Sequence, residues 1–315
     1  MPDLAVEYTE YGSPAVLHVV EIPTPEPGPH EVRIEVRAAG VNPVDAKVRA
    51  GKRATGPIPG PQRLGSDAGG VVESVGAEVD GLEVGDAVIA RGLKGAYATR
   101  VVAPASQLTR KPDAMSFEEA AAVGVPVGTA YQILRSAGTT AGDVVLIHAG
   151  SGAVGQAAIQ FARAWGARVI ATASERNHDR LRELGAEPIV YGDGLLDRVR
   201  RLAPEGVDVS LECAGTREAI EVSVEVTKDR RRVVEIVNMD WRDEFGVLGF
   251  TSSKPGYLGP AEIALRAEAV GAVVEQFEST GFQLEIGHAF PLSEARAAHE
   301  AIEAGTYRGK LVLVP

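Results

Sequence analysis

Residues 142–163 read GDVVLIHAGSGAVGQAAIQFAR: an apolar run, a cluster of glycines and an amphipathic segment, in that order. Val144 to Ile147 is short, wholly apolar and preceded by Gly142-Asp143, as a strand buried on both faces reads. Gly150, Gly152 and Gly155 follow in G-x-G-x-x-G spacing. Val154, Ala157, Ala158, Phe161 and Trp165 then recur at helical intervals and make one apolar face. Strand, glycine turn and helix in succession favour dinucleotide binding over a purely structural turn. The glycines permit a tight turn and close backbone approach, and the helix N-terminus offers unpaired N–H groups to a pyrophosphate. Gly150, Ser151, Gly152, Ala153 and Val154 are therefore the expected phosphate-binding residues.

Downstream of this stretch, strands are expected near 168–173, 188–190, 207–212 and 232–237. Helices are expected near 175–184, 195–202, 216–226 and 261–279. Such alternation with short links predicts a parallel sheet covered on both faces. Upstream the pattern differs. Pro23, Pro25, Pro27 and Pro29 make an extended connector, and Glu31 to Arg37 alternates strictly between apolar and charged residues. Short strands at 70–75, 87–90 and 97–102 suggest an antiparallel barrel. Ser116 and Glu119 form a capping box before an alanine-rich helix, which Pro126 is expected to break. After residue 281 the chain returns to short strands, with a helix at 293–304 and a last strand at 311–314. The expected division is residues 1–125 with 281–315, and residues 126–280.

The 315 residues allow two domains, and a composition of 45% hydrophobic and 24% charged residues is ordinary for a globular protein. A net charge of −11 argues against nucleic-acid or anionic-membrane partners. No apolar run is long enough to span a bilayer and the first residues do not read as a secretory signal, so the cytoplasm is the expected compartment. The single cysteine, Cys213, excludes an internal disulfide and a cysteine-rich zinc site. Six scattered histidines mark no metal centre, so the chain is read as metal-free. Cys213 itself reads as a small core residue rather than a nucleophile.

Four blocks together resemble the zinc-free quinone oxidoreductase (zeta-crystallin-like) branch of the medium-chain dehydrogenase/reductase superfamily. They are PEPGPHEVRIEVRAAGVNPVDAKVRAG at 25–51, GSDAGG at 65–70, the glycine-rich stretch at 142–163, and Ala298-His299-Glu300 with RGKLVL at 308–313. The resemblance implies a GroES-like β-barrel catalytic domain and a Rossmann domain with a doubly wound parallel sheet, the active site lying in the cleft between them. It implies a hydride donor and no metal. The chain departs from the family at Ala153, where a second paired glycine is usual, and in residues 229–260, which match the pattern poorly.

The cofactor reading rests on the segment after strand 168–173, Ala173-Ser174-Glu175-Arg176-Asn177-His178. NAD sites place an acid there and NADP sites a cation. Arg176 is the main candidate for a 2′-phosphate, or else a solvated helix-face arginine. The resemblance adds Ser174 and His178 near the phosphate, Tyr191 beside the ribose and Arg308 from the C-terminal return. It also places Thr129 beside the nicotinamide carboxamide, where a helix cap is the plainer reading. These charges favour NADPH, while Glu175 keeps NAD open.

A receiving oxygen gathers negative charge during hydride transfer and needs a donor or cation beside it. By resemblance Asn42 faces the nicotinamide and substrate, though asparagine before proline is also a common turn residue. Asp45 either orients Lys47 or Arg49 or starts a short helix. At position 47 many family members carry tyrosine, and some enone-reducing members carry lysine. Lys47 is thus the candidate electrophile, or a solvated lysine. The implied function is an NADPH-dependent reductase of a quinone or an α,β-unsaturated carbonyl. The alternatives are a tailoring enoyl or ketone reductase and a low-turnover NADPH-binding structural or sensor protein. The apolar stretch GVLGFT at 246–251 reads as an open edge strand, and a homodimer is expected.

Overall fold

The structure, a computed structural model, describes residues 2–52, 56–252, 256–305 and 307–315. It divides into two compact units, residues 1–125 with 270–315, and residues 126–269. The first unit opens with β1 (Asp3–Tyr8), β2 (His18–Ile22) and β3 (Glu31–Val41). Helix α1 (Pro43–Arg49) follows, then β4 (Gln62–Arg63), β5 (Asp67–Val75), β6 (Ala87–Arg91), β7 (Arg100–Pro104), β8 (Leu108–Arg110) and α2 (Phe117–Ala122). The alternation at Glu31–Arg37 sits in β3, which pairs antiparallel with β5 and β7. Alternation stops at Ala38-Ala39-Gly40-Val41 because all four are buried. Helix α2 covers the second face there: Ala38 clusters with Ala121, and a Cβ on Gly40 would lie 2.3 Å from Ala121 O.

The capping box forms as read. Glu119 N–H donates to Ser116 Oγ at 3.1 Å and Ser116 N–H to Glu119 Oε2 at 2.8 Å. Pro126 does not break the path, contrary to expectation. The backbone widens into a π-helical turn over Val123–Val127 and continues as α3 (Gly128–Ser136). A wider turn gives the proline ring room that an α-helical turn would deny it.

The second unit continues with β9 (Val144–Ile147), α4 (Ala153–Ala164), β10 (Arg168–Thr172), α5 (His178–Glu183), β11 (Glu187–Ile189) and α6 (Leu195–Leu202). It ends with β12 (Val209–Glu212), α7 (Arg217–Val226), β13 (Val233–Glu235), α8 (Met239–Phe245), β14 (Leu248–Gly249) and α9 (Pro260–Thr280). The six strands are parallel, in the order β11-β10-β9-β12-β13-β14. That is the doubly wound order, whose direction reverses between β9 and β12; ligands of such sheets bind outside the carboxyl ends of the strands at that point. The expected edge strand at 246–251 shrinks to the two residues of β14, after a helix, α8, that the sequence did not announce.

The return to the first unit falls inside α9, whereas the sequence reading placed it after residue 280. There β15 (Ile286–Pro291), α10 (Ala295–Ala304) and β16 (Lys310–Val314) follow. The seven-stranded sheet runs β15-β16-β3-β5-β6-β8 with β7 against β3, and β2-β1-β4 forms a smaller one. Their core joins Ile34, Val36, Val72, Tyr97, Leu311 and Leu313.

Candidate active site

In the second unit the glycine turn connects β9 to α4 at the switch point. Ala149 takes a left-handed φ of 57°. Its N–H donates to Thr172 Oγ1 at 3.1 Å, and Gly150 N–H donates to Thr172 O at 2.8 Å, tying the turn to the end of β10. A Cβ on Gly150 would lie 2.8 Å from Ala171 Cβ, and one on Gly155 would lie 2.4 Å from Ala149 O. The turn's own packing demands those two glycines. Gly152 differs, since a Cβ there would meet only Ala149 O at 3.5 Å, an ordinary contact. Its bareness serves no internal packing and suits a backbone approached by a ligand. Gly152 also caps α4 without a side chain, so the first-turn N–H groups of Ala153, Val154 and Gly155 are left for an anion. Gln156 Nε2 donates to Ser151 O at 3.0 Å and fixes the turn from the helix side. These residues fit the pyrophosphate of a dinucleotide.

Beyond β10 the expected helix starts later. Glu175–Asn177 is a 3-10 turn, and the α-helix begins at His178. Ser174 stands at the head of that turn, and its Oγ accepts from Asn177 Nδ2 at 3.2 Å. Arg176 is exposed and pairs with no acid among the described residues. His178 Nε2 lies 3.3 Å from Ala173 O, which turns the ring back on the strand end. Tyr191, just after β11, is exposed. Thr129 is buried and is the second residue of α3, inside the helix rather than at its cap. Arg308 lies in the first unit, where it donates to Glu285 Oε1 at 2.6 Å.

In the first unit the Asn42–Arg49 segment meets a buried polar network. Asn42 Nδ2 donates to Asp67 Oδ2 at 2.8 Å, and its Oδ1 accepts from Lys310 Nζ. Lys310 Nζ also lies 3.5 Å from Asp67 Oδ2, which accepts Val125 N–H at 3.0 Å. Asp45 accepts Asn42 N–H at 2.9 Å and the Tyr97 hydroxyl at 3.0 Å. Thus Asp45 fixes the start of α1. Asn42, Asp45, Asp67 and Lys310 are all buried. One ammonium faces two carboxyl groups, and burial with the nearby Asp67 charge lifts Asp45 to about 6. Burial lowers the Lys310 ammonium, against the pull of Asp67 and Asp45. Lys47 lies half-buried on α1. Arg49 is buried and pairs with Glu303.

Sequence reasoning named Asn42 and Asp45 but assigned no role to Asp67, Tyr97 or Lys310. Lys310 opens a strand that is otherwise apolar, KLVLV, and in the sequence it reads as an ordinary polar strand end. No group of three or more histidines, cysteines or acids among the described residues could hold a metal ion.

A family described as "Alcohol dehydrogenase GroES-like domain" matches residues 28–113, and one described as "Zinc-binding dehydrogenase" matches residues 153–253. The chain is 33% identical to a quinone oxidoreductase of Pseudomonas aeruginosa, over 98% of this chain and 99% of that relative. It is similar to the solved structure of Escherichia coli quinone oxidoreductase complexed with NADPH, with TM-score 0.84 and 26% identity over 99% of this chain and 100% of that one. It is similar also to CurK enoyl reductase, with TM-score 0.86 and 28% identity over 100% of this chain and 99% of that one.

Proposed function

Because the chain belongs to the quinone oxidoreductase family of the medium-chain dehydrogenase/reductase superfamily, we propose that it is a cytoplasmic, NADPH-dependent enzyme that reduces a quinone or an α,β-unsaturated carbonyl without a metal. The observation that carries this reading is the bare backbone at Gly152, open to a ligand at the switch point of the parallel sheet. The Gly150–Val154 turn would hold the pyrophosphate and Thr129 the nicotinamide end. Ser174, Arg176, His178 and Tyr191 would surround the adenosine ribose, with Arg308 a further cation for its phosphate. NADPH, when bound, supplies the hydride. Lys47 would stabilise the negative charge that develops on the substrate oxygen. Asn42 and Asp45, whose polar atoms are engaged in the buried network, would hold α1 and so aim Lys47.

NADPH oxidation with a panel of small quinones and enones tests the function. Turnover is expected on at least one of them, and Lys47→Ala is expected to lower kcat/KM by roughly 10–100-fold. Full kcat/KM in that variant would remove Lys47 from the chemistry. The second reading is a tailoring enoyl or ketone reductase, which the likeness to CurK enoyl reductase supports. Tight NADPH binding with no turnover would favour a structural or sensor role.

Arg176→Ala is expected to weaken NADPH binding about tenfold or more and to leave NADH binding unchanged. Titration by fluorescence checks this, and an unaltered preference would discard the arginine. A homodimer paired along the β14 edge belongs to the same proposal. Monomers by light scattering at micromolar concentration would refute it.

A further inference from the structure

Two glutamates close neighbouring parallel strands. Glu212 ends β12, Glu235 ends β13, and the two are register partners. Their side chains therefore leave the sheet on one face. Both are fully buried. Each holds the loop that follows it with one oxygen. Glu212 Oε1 accepts the N–H groups of Ala214 and Gly215, both at 2.8 Å, and Glu235 Oε1 accepts those of Val237 and of Asn238, the latter at 2.9 Å. The remaining oxygens, Glu212 Oε2 and Glu235 Oε2, are buried and receive no donor from the described residues. As register partners on adjacent parallel strands, the two carboxyl groups lie side by side on that face.

Two buried carboxylates so placed would repel, and each would keep an unsatisfied acceptor. A proton on one of them supplies the missing donor and removes one charge. We propose that Glu212 and Glu235 hold one proton between them, and that this acid–carboxylate hydrogen bond sets the Cys213–Gly215 and Ile236–Asn238 loops for the nicotinamide half of the cofactor. The consequence for the cofactor rests on the NADPH reading above; the shared proton does not.

Burial and the Glu235 charge push Glu212 up to about 8, and burial raises Glu235 as well. Among the described residues, the neighbouring titratable groups leave the pair uncompensated. His148, just after β9, is held neutral by burial, which lowers it to about 4. Burial and then the two glutamates raise the Cys213 thiol. At the start of α7, Arg217 pairs with Glu221 and Glu244, and Glu218 accepts from Gly192 N–H. Asp240 lies in the first turn of α8, and Arg242 there lies near Asp243 and over the Tyr257 ring. With the acid's affinity for protons raised, the shared proton is present at neutral pH and is lost as pH rises through about 8. Cofactor affinity then falls on the alkaline side.

Infrared difference spectra of the full chain at neutral pH test the proton directly. The expected result is a protonated-carboxyl band that shifts in heavy water, titrates away above about pH 8, and is missing from both Glu212→Gln and Glu235→Gln. A wild-type protein without that band, or a band that survives in either variant, would overturn the shared proton. NADPH titrations on the alkaline side supply the second arm. Wild-type affinity is expected to fall by up to about tenfold per pH unit above the midpoint, while Glu212→Gln, which keeps a donor toward Glu235, stays flat. Equal slopes in the two proteins would overturn the positioning role. If neither binds NADPH at any pH, the cofactor reading fails and the infrared band still decides the proton. Should a variant not fold, the titration and isotope shift of the wild-type band decide it alone.

Discussion

Valine in place of Gly155 is expected to cost the second unit more than about 3 kcal/mol and to abolish measurable NADPH binding. The new Cβ would stand 2.4 Å from Ala149 O, 2.7 Å from Gly150 Cα and 2.9 Å from Gly150 C. All three are backbone atoms of the turn, so none can swing aside. Helix α4 would have to lift off the turn, and the first-turn N–H groups would move with it. Gly152→Ala is the control. Its Cβ meets an ordinary 3.5 Å contact and nothing else, so stability is expected to change by no more than about 1 kcal/mol, the scale of a lost N-cap preference. If a phosphate approaches that backbone, NADPH affinity falls in this variant while stability holds. Thermal unfolding with a cofactor titration reads both quantities. Unchanged affinity in Gly152→Ala would place the cofactor's phosphates elsewhere.

Removing the Lys310 ammonium is the second large effect. Lys310→Met keeps the length of the side chain but leaves the buried Asp67 facing Asn42 and the Val125 N–H without its cation. Breaking a buried pair from one side costs about 3–5 kcal/mol, because an uncompensated charge remains. Chemical denaturation is expected to show a loss of that size. Adding Asp67→Asn removes the stranded charge, so the double variant should recover part of the loss rather than sum two losses. Simple additivity would mean that the two groups do not act on each other. Gly40 belongs to the same design: a Cβ there would meet Lys310 Cε at 2.9 Å, so the glycine leaves space for the lysine stem.

Both effects show where local pattern stops. The residues at 142–163 carried the parallel unit on their own, since a buried strand, a glycine turn and a helical apolar face are short-range signals. Gly150 and Gly155 could be singled out by spacing alone. That they serve the turn's packing, while Gly152 is left bare, required the neighbouring Ala171 and Ala149 in place. The alternation at Glu31–Arg37 marked β3, but its last four residues are buried on both faces because α2 lies over them. Pro126 signalled a break that a π-turn absorbed.

The chain by itself determined two kinds of architecture and the turn where a dinucleotide would bind, because periodicity and glycine spacing are written within a few residues of each other. Only the tertiary structure brought Lys310 to Asn42, 268 positions apart, and it alone set Glu212 beside Glu235. Each of these residues reads as an ordinary polar end of a strand or helix. What a buried charge does depends on which groups share its low-dielectric surroundings. Strand register and chain return decide that, and neither leaves a local mark.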